Sequence, residues 1–139
     1  MTEADVIQPS ASIASVGKGI RYVGNYAYAY SGQFEAKNTT QILLEFVSGS
    51  GLIVGTFYCN VFLQYSNISV RQGAFLISLN DIIVAGITAT NANEQMPATV
   101  TQELLIPPVT KVKVEAIAST DDSDNFATVN FTGRVYGAT

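Results

Sequence analysis

The sequence predicts an all-β fold, an antiparallel β-sandwich, and two observations carry that expectation. Strand-like runs, alternating or continuously apolar, fill the chain from Tyr22 to Tyr136, and eight can be counted between clusters of Gly, Asn, Asp, Ser and Pro. No segment repeats apolar residues at helical spacing, so the crossover helices that a parallel sheet requires are missing. At 139 residues the chain suits one core. The expected organisation is an arm over residues 1–19, flexible or ordered by assembly, followed by a sandwich domain over residues 20–139.

The arm contains Pro9, scattered serines and no sustained period. Tyr22 to Phe34 then alternates Tyr26, Tyr28 and Tyr30 with Ala27, Ala29 and Ser31, which predicts one strand with an aromatic face and a small-residue face. In Thr39 to Val47, Ile42, Leu44 and Phe46 share a face opposite Gln41, Leu43 and Glu45. The Ser48-Gly49-Ser50-Gly51 turn leads into a long apolar run from Leu52 to Tyr65, bent at Gly55, and the two runs read as a hairpin pair. Ser69 to Leu79 follows, and Asn80-Asp81 connects it tightly to a short strand, Ile82 to Ala85. Gly86 to Thr99 is the most loop-like interior stretch, suited to a lid, a binding loop or a subunit contact. Strand formers resume at Val100 and stop at Pro107-Pro108, where ladder donors are lost. The next run places Val112, Val114 and Ala116 inward and Lys111, Lys113 and Glu115 outward. The acidic turn at Asp121-Asp122-Ser123-Asp124-Asn125 precedes the last strand. There Ala127, Val129, Phe131 and Val135 oppose Thr128, Asn130, Thr132 and Arg134.

Composition closes several kinds of chemistry. The chain has no histidine, which removes the commonest metal ligand and the usual base for a serine nucleophile. Its single cysteine, Cys59, lies among Phe57, Tyr58, Val61 and Phe62, which reads as a buried thiol and forbids an internal disulfide. Seven basic and eleven acidic residues give a net charge of −4 with no basic cluster, which disfavours sequence-general nucleic-acid binding through phosphate neutralisation, and no sequence-specific nucleic-acid binding is expected. No basic-then-apolar leader and no long apolar span is visible, so neither a secretion signal nor a membrane span is expected. Charged residues make up 13% of the chain, about half the usual share, which leaves hydroxyls, amides and small side chains to cover the surface. Such surfaces suit assemblies, where stripping water from an ion is costly.

The remaining candidates are few. Glu35, Glu45, Glu103 and Glu115 are the acids within strands, and a glycosidase-like pair would need two of them to converge. Asp121, Asp122 and Asp124 are a weak calcium candidate, since alternate carboxylates suit a hard cation, but the glycine and distal glutamate of a helix-flanked calcium loop are missing. No other metal site and no cofactor is expected. Gly49, Gly51 and Gly55 lack the Lys-Ser/Thr pair that completes a phosphate-binding loop. The tyrosines Tyr22, Tyr26, Tyr28, Tyr30, Tyr65 and Tyr136 are the candidate interface or ligand face, because their rings offer amphipathic area at low entropy cost. Cross-strand packing, a subunit contact and a ligand face all remain open for them.

The Asn38–Phe46 segment, the Ser78-Leu79-Asn80-Asp81 hairpin and the Ile106-Pro107-Pro108-Val109-Thr110 approach to a penultimate strand resemble small jelly-roll structural proteins of viral or phage particles. Relatives of the tumour-necrosis-factor-like fold are among them. The resemblance is one of layout over Tyr22 to Tyr136 and transfers no active-site residue. It implies an eight-stranded jelly roll in a capsid, decoration or spike component of a virion. The implied partners are copies of itself and other virion proteins, with no enzymatic activity. The alternative is a lectin-like module that binds a carbohydrate or a receptor.

Overall fold

The computed structural model describes residues 19–63, 72–90, 98–119 and 125–137. Within these residues the chain forms ten strands and no helix: β1 (Arg21–Val23), β2 (Tyr26–Tyr30), β3 (Phe34–Glu35), β4 (Gln41–Val47), β5 (Leu52–Phe62), β6 (Gln72–Leu79), β7 (Ile82–Thr90), β8 (Ala98–Ile106), β9 (Lys111–Ala118) and β10 (Phe126–Tyr136). One sheet has the order β4-β9-β6-β7, and the other the order β1-β2-β10-β5-β8, with β3 also pairing with β10. Every pairing is antiparallel. The two-sheet β-sandwich expected from the alternating pattern is therefore the fold.

Inward-facing residues of both sheets make one core. Phe131 of β10 lies 4.6 Å from Phe57 and 5.8 Å from Phe46, ring centre to ring centre, and so joins the two layers. All three rings are fully buried, and each contributes on the order of 2 kcal/mol by leaving water. Gly55 and Gly133 face each other across β5 and β10, the Phe131 ring taking the space above Gly55 and the Ile53 side chain that above Gly133. A Cβ on Gly55 would stand 2.6 Å from that ring and 2.5 Å from the Thr132 carbonyl. Cys59 is also buried, and desolvation pushes its thiol up to about 12.

Several local expectations hold. The alternation of Lys111–Ala118 appears as buried Val112, Val114, Ala116 and Ala118. β8 ends at Ile106, before the two prolines. Asn80 and Asp81 have φ of 51° and 70°, the paired left-handed geometry of a tight hairpin turn. The Asn80 side-chain carbonyl accepts the Lys111 N–H at 3.0 Å, which ties that turn to β9.

Other expectations are overturned. Tyr22 to Phe34 is not one strand, because Gly24, with φ of +59°, turns the chain between β1 and β2, and Tyr22 then pairs with Ala27. Thr39–Val47 and Leu52–Tyr65 are not a hairpin, since β4 and β5 lie in different sheets. Their connection is a corner held from afar. The Ser48 N–H donates to the Thr110 carbonyl at 2.9 Å and the Val109 N–H to the Gly49 carbonyl at 2.8 Å. Ser48 Oγ donates to the Pro107 carbonyl and accepts the Thr110 N–H. Strict alternation in β4 fails because the register with β9 skips Leu43, a bulge that turns both Leu43 and Leu44 inward. β7 runs on to Thr90 and β8 starts at Ala98, so the stretch expected as a loop from Gly86 is strand over residues 86–90 and again from Ala98, and residues 91–97 lie outside the described residues. The arm preceding Gly19 lies outside the described residues. Ile20 is already part of the core.

Candidate functional site

The outer face of the six-stranded sheet gathers the exposed aromatic residues. In β2, alternation sends Ala27 and Ala29 into the core and leaves Tyr26, Tyr28 and Tyr30 outside. Register then sets their neighbours, because directly opposed residues share a face. One row across the sheet reads Arg21, Tyr28, Thr132, Thr56, Glu103. The next reads Val23, Tyr26, Arg134, Val54, Leu105, and a third reads Tyr30, Asn130, Tyr58, Thr101. Tyr136 stands on the same face of β10, two residues beyond Arg134.

These rows carry three charges: Arg21 on one margin, Glu103 on the other and Arg134 in the middle. The Arg134 guanidinium carbon lies 5.5 Å from the Tyr26 ring centre and 5.6 Å from that of Tyr136, and Nη1 donates to Tyr26 Oη at 3.2 Å. Two aromatic faces thus hold the one central cation. Beside it, Tyr26, Tyr28, Thr132 and Arg134 rim a shallow depression over Ala27 and Gly133. Toward the other end of the strands, Asn60 links three of them, donating from Nδ2 to Thr128 Oγ1 at 3.1 Å and accepting at Oδ1 from Thr99 Oγ1 at 2.6 Å. Phe62 and Phe126 stack beyond it at 5.4 Å.

Of the tyrosines singled out from the sequence, Tyr26, Tyr28, Tyr30 and Tyr136 come together on this face. Tyr22 does not join them. The turn at Gly24 rotates it onto the inward side, where it packs against the core and its hydroxyl accepts the Gly49 N–H at 2.8 Å. Burial raises its pKa, against the lowering effect of that hydrogen bond. Tyr65 and the acidic turn of Asp121, Asp122 and Asp124 lie outside the described residues. Alternation within single strands could not reveal Val23, Val54 and Leu105 as neighbours of the tyrosines, because pairing across the sheet brings them there.

The outer face of the four-stranded sheet is of another kind. Lys111 Nζ lies 3.2 Å from Asp81 and 3.7 Å from Glu45, and Lys113 Nζ lies 3.8 Å from Asp81. Glu45 and Glu115 therefore sit on one outer face, whereas Glu103 belongs to the opposite one. Among the described residues no group of three or more Asp, Glu, Cys or His is placed to hold a metal ion. A smaller apolar cluster, Ile82, Ile83 and Val84, is exposed at the start of the edge strand β7, where a bulge at Val84 shifts the register with β6. No protein-family model matches the chain, and no curated protein matches it.

Proposed function

We propose that this chain is a structural protein of a virus or phage particle, a capsid, decoration or spike component, that works by protein–protein assembly and catalyses no reaction. The observation that carries this reading is the tyrosine face. Tyr26, Tyr28, Tyr30, Tyr58 and Tyr136 are each between 39% and 57% exposed. At roughly 200 Å² per aromatic side chain, they offer roughly 450 Å² of contact area. That is more than half of the ~800 Å² a partner usually contributes to a stable interface. Val23, Val54 and Leu105 extend it. Tyrosine is among the residues that anchor such contacts, and a sheet face sparse in charge has few ions to dry.

The connectivity supports the finer reading of the fold as an eight-stranded jelly roll. Setting aside the short strands β1 and β3, the pairs β2–β10, β4–β9, β5–β8 and β6–β7 nest one inside another along the chain. Rolling up such a nested ribbon yields two four-stranded sheets. Viral capsid domains, lectins and cupins share that architecture, so the choice among them rests on the surface.

The second reading, a carbohydrate- or receptor-binding module, draws on the depression between Tyr26, Tyr28 and Arg134, where a sugar ring could stack. Native mass of the full chain over a wide concentration range, together with a glycan screen with and without calcium, separates the two. Assembly to a multiple of 14.8 kDa with a silent screen is the expected result. A monomer at high concentration that binds a glycan overturns the assembly reading.

A further inference from the structure

We infer that the tyrosine face pairs with the same face of a second copy, about a two-fold axis running along β10. This inference rests on the assembly reading and adds to it the identity and geometry of the partner. β10 is the middle strand of the order β1-β2-β10-β5-β8, with two strands on either side. A two-fold axis lying between two stacked faces, parallel to that strand, keeps each row in place and reverses its order. The surface must then match its own reversal, as any isologous interface does.

The rows do so. In the first, reversal sets Arg21 against Glu103 of the second copy, and Glu103 against its Arg21, two opposite-charge pairs at the margins. In the second, Val23 meets Leu105 and Tyr26 meets Val54, so apolar side chains cover one another. In the third, Tyr30 meets Tyr58, and Asn130 meets Asn130 on the axis, where an amide both donates and accepts. Strand spacing puts the two charged margins about 10 Å either side of the axis. The usual angle of about 30° between stacked sheets displaces them by about 5 Å, within reach of an arginine and a glutamate.

One contact opposes the pairing. Arg134 lies on the axis and approaches its own copy, although each guanidinium is already clasped by Tyr26 and Tyr136 of its chain. The geometry therefore requires Arg134 to be the residue whose charge weakens the dimer.

Sedimentation equilibrium of the full chain at low salt, on the native protein and on R21E, E103R, R21E/E103R and R134Q, tests this. Both margins are exposed, so unfolding midpoints serve as the folding control. Each single reversal is expected to weaken dimerisation at least tenfold, and the double reversal to restore it to within about threefold of the native value. R134Q is expected to tighten it severalfold. Single reversals without effect, a double variant weaker than either single, or a tenfold loss in R134Q would overturn the two-fold geometry while leaving assembly by another route standing. A native chain that stays monomeric throughout overturns the pairing, and joined to a positive glycan screen it overturns the assembly reading as well.

Discussion

The two outer faces of the sandwich are both laid down by alternating antiparallel strands, yet they meet water differently. On the four-stranded sheet, Lys111, Lys113, Glu45 and Asp81 form a small ion-pair cluster. Asp81, by hydrogen bond and charge, raises the pKa of Lys111. Such a cluster is well hydrated, adds little to stability and is costly to dry. On the six-stranded sheet the corresponding positions hold tyrosine, threonine, asparagine and valine around one clasped arginine at the centre, with Arg21 and Glu103 at the margins. The contrast teaches that position alone does not make an outer face a solvent face. What distinguishes them is how many charges must be dried at the centre of the face: a cluster of ion-paired lysines and carboxylates on one, and Arg134 alone on the other.

The strongest way to break the comparison is to remove the platform on which the aromatic face stands. Gly55→Val forces a side chain into the Phe131 ring and the Thr132 carbonyl. A loss of ~3 kcal/mol is expected by urea unfolding, and association should fall with it. An unchanged midpoint would mean that β5 and β10 can separate at no cost.

A smaller effect tests the corner between the sheets. Tyr22→Phe leaves the Gly49 N–H without its acceptor, and a cost of about 1 kcal/mol is expected near neutral pH. The pH dependence has a definite sign. Burial raises the Tyr22 pKa above its unfolded value, so above pH ~10 the folded state holds more protons than the unfolded one and stability falls as pH rises. Tyr22→Phe should flatten that alkaline decline, measured by unfolding at pH 8 and above pH 10. A decline of equal slope in the variant would assign it to other groups.

The smallest effect belongs to the charged face. Lys111→Ala removes two ion pairs, and both the unfolding midpoint and the association constant should stay where they were. A drop in association would make that face an interface as well, and the distinction between the two faces would collapse.

How far these features were legible depends on the range over which each is decided. The alternation of Lys111–Ala118, the Asn80-Asp81 turn and the stop at Pro107 follow from neighbouring residues, and they appear where the pattern puts them. The corner between β4 and β5 was not legible. A Ser-Gly-Ser-Gly stretch serves a hairpin or a crossing equally well, and the choice is made by Thr110, Val109 and Pro107, some sixty residues away. The turn at Gly24 was hidden by an even spacing of tyrosines that ran through it, and the bulge at Leu43 by two adjacent leucines equally able to face the core. The aromatic stripe of β2 could be read in place. Its relation to Arg134, Val54 and Leu105 could not, because register across five strands is a property of the whole sheet.

The clustering of tyrosines has a practical corollary. The chain contains seven tyrosines and no tryptophan, so its near-ultraviolet emission is dominated by phenol rings. Five of those rings, Tyr26, Tyr28, Tyr30, Tyr58 and Tyr136, lie on the outer face of one sheet. That face carries its own optical label. Quencher access to the native emission reads its covering directly, with no dye attached and no residue changed.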